Sequence, residues 1–310
     1  YCQVYALIKV RLIQGKRTME KQVDVLIIGA GISGIGLAVH LSKNCPQRSF
    51  EILERRDSFG GTWDLFRYPG IRSDSDMSTF GYNFKPWGKE KVLASGAEIK
   101  SYLNDVISEN QLKDKIHFGH RVLSANYDST QKKWLVEIED QNKKKQTWAA
   151  NFVMGCTGYY NYDQGYAPKF PQQEDFKGQL IHPQHWPENL DYTGKKVVII
   201  GSGATAITLV PSLVKGGAGH VTMLQRSPTY IATVPSIDII YEKARKFISE
   251  EKVYDFTRTR NIAMQRAIYA LAQKYPKVLR RILLKGVELQ LKGKVDMKHF
   301  TPNYNPWEQR

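Results

Sequence analysis

Val25-Leu26-Ile27-Ile28-Gly29-Ala30-Gly31-Ile32-Ser33-Gly34 runs four apolar residues straight into Gly-x-Gly-x-x-Gly. The pattern predicts a buried parallel strand turning into a helix. Gly29 allows the tight turn, Gly31 leaves bare backbone for a pyrophosphate, and Gly34 lets helix and strand pack closely. Glycine-rich turns also close ordinary strand–helix units, so the context decides. Twenty positions after Gly34 a second apolar strand, Phe50-Glu51-Ile52-Leu53, ends in Glu54. A carboxylate at that place accepts hydrogen bonds from a ribose diol.

The theme returns at Lys196-Val197-Val198-Ile199-Ile200, which enters Gly201-Ser202-Gly203-Ala204-Thr205-Ala206-Ile207, the G-x-G-x-x-A variant of the same turn. Its second strand, His220-Val221-Thr222-Met223-Leu224, ends in Gln225-Arg226-Ser227 rather than in an acid. A carboxylate there suits the 2′-hydroxyl of NAD and a cation the 2′-phosphate of NADP, so Arg226 selects NADPH. Two turns with opposite ends predict two nucleotides, FAD at Gly29 and NADP(H) at Gly201. The fold class that follows is α/β, with two Rossmann-like dinucleotide-binding domains and a helical insertion.

Between and around these turns the chain reads as follows. Arg55-Arg56-Asp57-Ser58-Phe59-Gly60-Gly61-Thr62-Trp63-Asp64 is a loop whose paired glycines let backbone lie close to a ligand. Arg67-Tyr68-Pro69-Gly70-Ile71-Arg72-Ser73-Asp74 is a charged turn of the kind that carries catalytic groups beside a cleft, although Asp74 also suits a helix cap. Residues 96–112 have helical spacing, with Lys100 on the polar face. Residues 120–128 and 133–139 alternate as a hairpin, and residues 151–158 form another short apolar strand ending in small residues. Residues 236–300 are helical and basic; over 241–300 there are fifteen Lys and Arg against six Asp and Glu. The domain reading is therefore 1–19 extension, 20–160 FAD-binding domain, 161–195 linker, 196–235 NADP-binding domain, 236–300 helical insertion and 301–310 the start of an active-site loop. Met19 is the more natural start of the protein.

Composition narrows the class. The formal net charge is +15 over 310 residues, and Cys2, Cys45 and Cys156 stand far apart without metal-ligand spacing. That gives no disulfide framework and no metal site, and it fits a reducing cytoplasm. No apolar run reaches the roughly eighteen residues of a spanning helix. A basic insertion most simply gives a solvated face, with peripheral contact to an anionic membrane as the sharper alternative and no nucleic acid expected.

Phe176-Lys177-Gly178-Gln179-Leu180-Ile181-His182-Pro183-Gln184-His185-Trp186-Pro187 fits F-x-G-x-x-x-H-x-x-x-W-P between the two turns. With Gly60-Gly61-Thr62-Trp63, Tyr68-Pro69-Gly70 and Asp74, it resembles the Baeyer–Villiger flavin monooxygenases. The wording of 62–76, 159–163, 201–207 and 304–307 is similar to the subgroup of ethionamide-activating enzymes. The resemblance covers about residues 22–310 and departs at Gln309, where other members place a lysine. Family members continue further, so the sequence reads as an N-terminal fragment.

The resemblance implies an enzyme that uses FAD, NADPH and O₂ to convert ketones to esters or lactones, or to oxidise sulfur compounds, through a flavin C4a-peroxide. It implies Arg310 as the cation that stabilises the negatively charged oxidant, with Asp74 orienting it. Phe176, Gly178, His182 and Trp186 would couple the domains. Gly29, Gly31, Ser33, Gly34, Glu54, Gly61, Thr62, Trp63, Asp64, Leu65, Asp74 and Val122 would line the FAD site. Arg72, Ser73, Asp74, Gly201, Ser202, Gly203, Ala204, Thr205, Ala206, Ile207, Gln225 and Arg226 would meet NADP. The alternatives are a flavin disulfide reductase, which needs a cysteine pair, an N- or S-oxygenating enzyme without ketone activity, and a truncated binding protein.

Overall fold

The computed structural model describes residues 21–89 and 91–308. The extension at 1–19, Gln309 and Arg310 lie outside the described residues. In chain order come β1 (Lys21–Ile28), α1 (Ile32–Asn44), β2 (Phe50–Leu53), α2 (Thr62–Leu65), α3 (Met77–Phe80) and α4 (Gly96–Glu109). They are followed by β3 (Ile116–His117), β4 (Arg121–Asp128), β5 (Lys133–Glu139) and β6 (Lys145–Gly155). The second half adds β7 (Lys196–Ile200), α5 (Ala204–Lys215), β8 (His220–Leu224), α6 (Ile239–Ala244), α7 (Glu250–Lys274) and α8 (Pro276–Leu291). The chain divides into two compact units, Tyr1–Arg67 with Ala97–His185 and Tyr68–Gly96 with Trp186–Arg310.

In the first unit six strands are ordered β3-β2-β1-β6-β5-β4. β3, β2, β1 and β6 run parallel, whereas β6, β5 and β4 form an antiparallel meander. The parallel strands read as continuous apolar runs because both faces are covered, and Leu26, Ile27, Ile52 and Leu53 are buried. On one face Leu26 and Leu53 pack with Val136, Ile138, Trp148 and Ala150. Helices α1 and α4 bury Ile35, Ala38, Val39, Ile99, Leu103 and Val106. The hairpin forms at the expected positions, and β6 begins at Lys145, well before the apolar stretch that announced it. Its first half was masked in the sequence by Lys145, Gln146 and Thr147, which pair with Glu139, Ile138 and Glu137.

The second unit holds the parallel pair β7-β8, in register from Lys196 opposite His220 to Ile200 opposite Leu224. Both strands alternate, and Val198, Ile200 and Leu224 are exposed. Helix α8 starts with Pro276 in its first turn, where a missing amide costs nothing. Helix α6 is capped by Asp238, which accepts from the amides of Ile240 and Tyr241.

Candidate functional site

The first glycine turn has little room for side chains. Gly29 has φ +108°, and a Cβ there would stand 2.5 Å from the Cys156 carbonyl oxygen. A Cβ on Gly34 would lie 1.9 Å from the Gly29 carbonyl oxygen, so only glycine lets α1 close on its own turn. Gly31 caps α1 in extended conformation without a side-chain cap bond, which leaves the helix N-terminus to an anion. Ser33 is exposed in the first turn of α1.

Glu54 is 6 % exposed. Its carboxylate accepts from the Ala30 amide at 2.8 Å and the Arg56 amide at 2.9 Å. Two lone pairs remain for hydroxyls.

The paired glycines lie against this turn. Gly60 donates to the Ala30 carbonyl at 2.9 Å, and a Cβ on Gly61, whose φ is +56°, would stand 3.2 Å from the Gly31 Cα. Backbone thus passes backbone, and α2 places half-buried Thr62, Trp63 and Leu65 directly after it. Asp64 is 3 % exposed. It pairs with Arg56 at 2.7 Å and with Lys100, with Arg67 at 3.9 Å. The carboxylate is thus enclosed by three cations. Lys100, which helical spacing assigns to a solvated face, instead reaches this buried acid.

Tyr162 lies in the 159–163 stretch that carries the resemblance, but the motifs assign it no site role. Its hydroxyl stands 3.3 Å from where a Gly61 Cβ would be. Burial pushes its hydroxyl pKa up, opposed by a hydrogen bond with Thr62. The neighbouring Asp163 pairs with Arg55. Val122, on β4, packs half-buried against the sheet core.

In the second unit Gly201 has φ +128° and Gly203 caps α5 in extended conformation. A Cβ on either would meet nothing within 4 Å, so this turn is open. Gly201 donates to the Leu224 carbonyl at 2.8 Å and Ser202 to the Ser227 carbonyl at 3.3 Å. Ala204 is exposed, Ala206 buried and Ile207 half-buried on α5. Gln225 donates to the His299 carbonyl at 2.9 Å, and Arg226 is exposed just beyond β8.

Residues 68–74 belong to this unit. Tyr68 is hydrogen-bonded to Thr205; burial pushes its hydroxyl pKa up, that bond opposing it. A Cβ on Gly70, at φ +80°, would strike the Ser212 hydroxyl at 2.0 Å, so the Pro-Gly turn lies directly on α5. Ser73 is buried, and Arg72 and Asp74 are exposed.

The linker motif straddles the division between the units, which falls between His185 and Trp186. His182 accepts from the Gln184 amide at 3.2 Å through Nδ1, and Gly165 leaves space for its ring. Gln184, buried, donates to the Asn161 carbonyl at 2.6 Å. Phe176 is exposed, and a Cβ on Gly178 would meet its ring. Trp186 makes an edge contact with Tyr192. Arg310 lies outside the described residues. Among the described residues there is no cluster of three metal-ligating side chains, and no helix is long and apolar enough to cross a membrane.

A family-level pattern of pyridine nucleotide-disulphide oxidoreductases matches residues 26–281. In Acinetobacter sp, a probable FAD-binding monooxygenase, AlmA, is 90 % identical over 292 residues, 94 % of this chain and 59 % of that protein. The FAD-containing monooxygenase EthA of Mycolicibacterium smegmatis is 52 % identical over 293 residues, with the same shares. The chain thus spans about 59 % of the length of these relatives.

Among solved structures, cyclohexanone-bound cyclohexanone monooxygenase in its rotated conformation is 28 % identical. The match covers 77 % of this chain and 45 % of that one, with a TM-score of 0.64. Oxidised steroid monooxygenase bound to NADP is 22 % identical over 91 % of this chain and 60 % of that one, with a TM-score of 0.72, a likeness of fold.

Proposed function

The chain belongs to the family of pyridine nucleotide-disulphide oxidoreductases, and from that premise we propose that it is part of an FAD- and NADPH-dependent monooxygenase. The reaction is transfer of one oxygen atom of O₂ to a ketone, giving an ester or lactone, or to a sulfur compound. The observation that carries this reading is the pair of glycine turns with opposite second-strand ends. Gly29 at φ +108° is followed by a strand ending in Glu54, and Gly201 at φ +128° by a strand ending in Arg226.

Bound FAD supplies the capacity to take a hydride from NADPH and to activate O₂. The chain's residues do the rest. The bare turn at Gly29–Gly34 and the amides that open α1 receive the pyrophosphate. Glu54 offers its free lone pairs to ribose hydroxyls. The open turn at Gly201–Gly203 takes the second pyrophosphate, and Arg226 the 2′-phosphate. Arg310 is a cation that keeps its proton, and so stabilises negative charge on the oxidant without quenching it. Asp74 is the carboxylate assigned to orient that guanidinium, and His182 and Trp186 belong to the linker motif assigned to couple the nucleotide domains.

A disulfide reductase would need two thiols together. Cys156 borders the Gly29 turn while Cys45 caps the far end of α1, roughly 20 Å away along thirteen residues. Burial also pushes the Cys156 thiol up, away from thiolate.

The test uses the full-length protein. It should purify yellow, prefer NADPH to NADH and give oxygenated products from a panel of ketones and sulfides followed by mass spectrometry. The Arg310→Ala protein should form no ester; ester formation at the wild-type rate would sink the assignment.

A further inference from the structure

Helix α7 presents a row of hydrogen-bonding groups where a packed helix ordinarily presents apolar ones. Tyr254, Arg258, Asn261 and Gln265 recur at spacings of four, three and four, which places them on one face. Tyr254 is 1 % and Asn261 6 % exposed. All four reach the same segment of the same unit, residues 76–82.

The Tyr254 hydroxyl donates to the Tyr82 carbonyl at 3.0 Å. One terminal nitrogen of Arg258 reaches the carbonyls of Ser78, Thr79 and Gly81 at 2.8, 3.2 and 3.0 Å. These carbonyls close the short helix α3 and have no acceptor role within it. Asn261 Nδ2 donates to Asp76 Oδ1 at 2.9 Å, and Gln265 Nε2 to Asp76 Oδ2 at 3.1 Å. The same carboxylate caps α3, taking the Thr79 amide at 3.0 Å and the Thr79 hydroxyl at 2.6 Å.

Asp74 stands two residues before this anchor. On its other side Ser73 donates its amide to the Ala94 carbonyl at 2.8 Å, and its hydroxyl takes the Ser75 amide at 3.1 Å. Exposed Asp74 is therefore presented between two fixed points, one on residues 92–96 and one on α7. A carboxylate that orients a cation must be placed to within a fraction of an ångström, since about 1 Å of misplacement can cost on the order of a hundredfold in rate.

We propose that the polar face of α7, acting through Asp76, sets the position of Asp74. Asn261, Gln265 and Arg258 are then positioning residues for the oxygen-transfer step. This rests on the reading of Asp74 as the partner of Arg310, and it gives the basic helical segment a role in the chemistry beyond solvation. It also explains why α7 carries a buried side-chain amide at Asn261 and a half-buried guanidinium at Arg258, where leucines would serve packing alone.

The test exchanges the partners in the full-length protein. Asn261→Asp sets a carboxylate against Asp76 and should free the segment, while the double exchange Asn261→Asp with Asp76→Asn restores a donor facing an acceptor. Two readouts are taken. Amide hydrogen exchange at Ser73, Ser75 and Thr79 should accelerate ten-fold or more in Asn261→Asp, with the amides of β1 unchanged, and return toward wild type in the double exchange. The fraction of consumed NADPH that ends as hydrogen peroxide should rise several-fold and fall again in parallel.

Unchanged exchange at these amides, or a loosened segment with an unchanged peroxide fraction, would overturn the proposal. If Asn261→Asp does not fold, the milder Gln265→Ala at the exposed end of the row serves for the same pair of readouts. A wild-type protein that binds no flavin would instead overturn the monooxygenase reading, and the exchange measurement would still decide whether α7 fixes the segment.

Discussion

Gly34 is the residue with the least freedom in the first turn. Its hydrogen occupies a place where a methyl group would sit inside the van der Waals radius of the Gly29 carbonyl oxygen, at 1.9 Å. The two nearest atoms are backbone of the same turn and cannot step aside, and the third is the Ile27 side chain at 3.3 Å. Gly34→Ala is therefore expected to lever α1 away from β1. The expected outcome is a destabilisation of about 3 kcal/mol, at the upper end for overpacking, and protein that purifies colourless. Flavin absorbance and thermal melting check this, and a yellow protein of normal stability would show that the turn is looser than its geometry. Gly201 behaves differently, since a Cβ there meets open space and only its φ of +128° resists substitution.

At the scale of elements, Asp238 ties α6 to α7. It caps α6 through the amides of Ile240 and Tyr241 and pairs with Arg260 of α7. Burial opposes its charge, yet the Arg260 guanidinium and the cap amides hold its carboxyl below the usual range. The folded form thus binds its proton more weakly than the unfolded chain. Its contribution is complete above the unfolded carboxylate pKa near 4 and is lost as pH falls through the lower folded value. Asp238→Ala should cost about 1–2 kcal/mol at neutral pH. The gap from wild type should close as melting is repeated at successively lower pH below about 4. A gap that stays constant to low pH would rule out the charge as its source.

Elements also show what a sequence can and cannot carry. β1 and β7 were legible because their apolar runs stop at glycine, β2 and β8 because short apolar runs stop at polar residues, Glu54 and Gln225, and the hairpin because its alternation breaks at Ser129–Gln131. The face of α7 was not legible. A helical period tells which residues share a side, but the groups they meet lie far off, with Asn261 and Asp76 separated by 185 positions. Lys100 and Asp64, 36 apart, were hidden for the same reason, and so was the bond between Tyr68 and Thr205. The glycine turns were visible because their chemistry is local, and the residues that support them were not because theirs is long-range.

For the whole molecule, the two nucleotide turns differ in how they face water. Beneath the first, Asp64 is enclosed by Arg56 and Lys100, its side chain 3 % exposed. Beside the second, Arg226 is exposed and the strands around it leave Val198, Ile200 and Leu224 to solvent. Dissolved ions screen exposed charges over about 10 Å at 0.1 M and about 3 Å at 1 M, and reach buried pairs far less. On the proposed assignment of FAD to the Gly29 turn and of the NADPH 2′-phosphate to Arg226, ionic strength becomes a handle that separates the two cofactors. Raising potassium chloride to about 1 M should weaken NADPH several-fold while the protein stays yellow, and Arg226→Ala should remove most of that sensitivity. Flavin lost in step with NADPH would contradict it. On that assignment, salt leaves the first nucleotide seated beside its enclosed ion pairs and loosens the second from its exposed arginine.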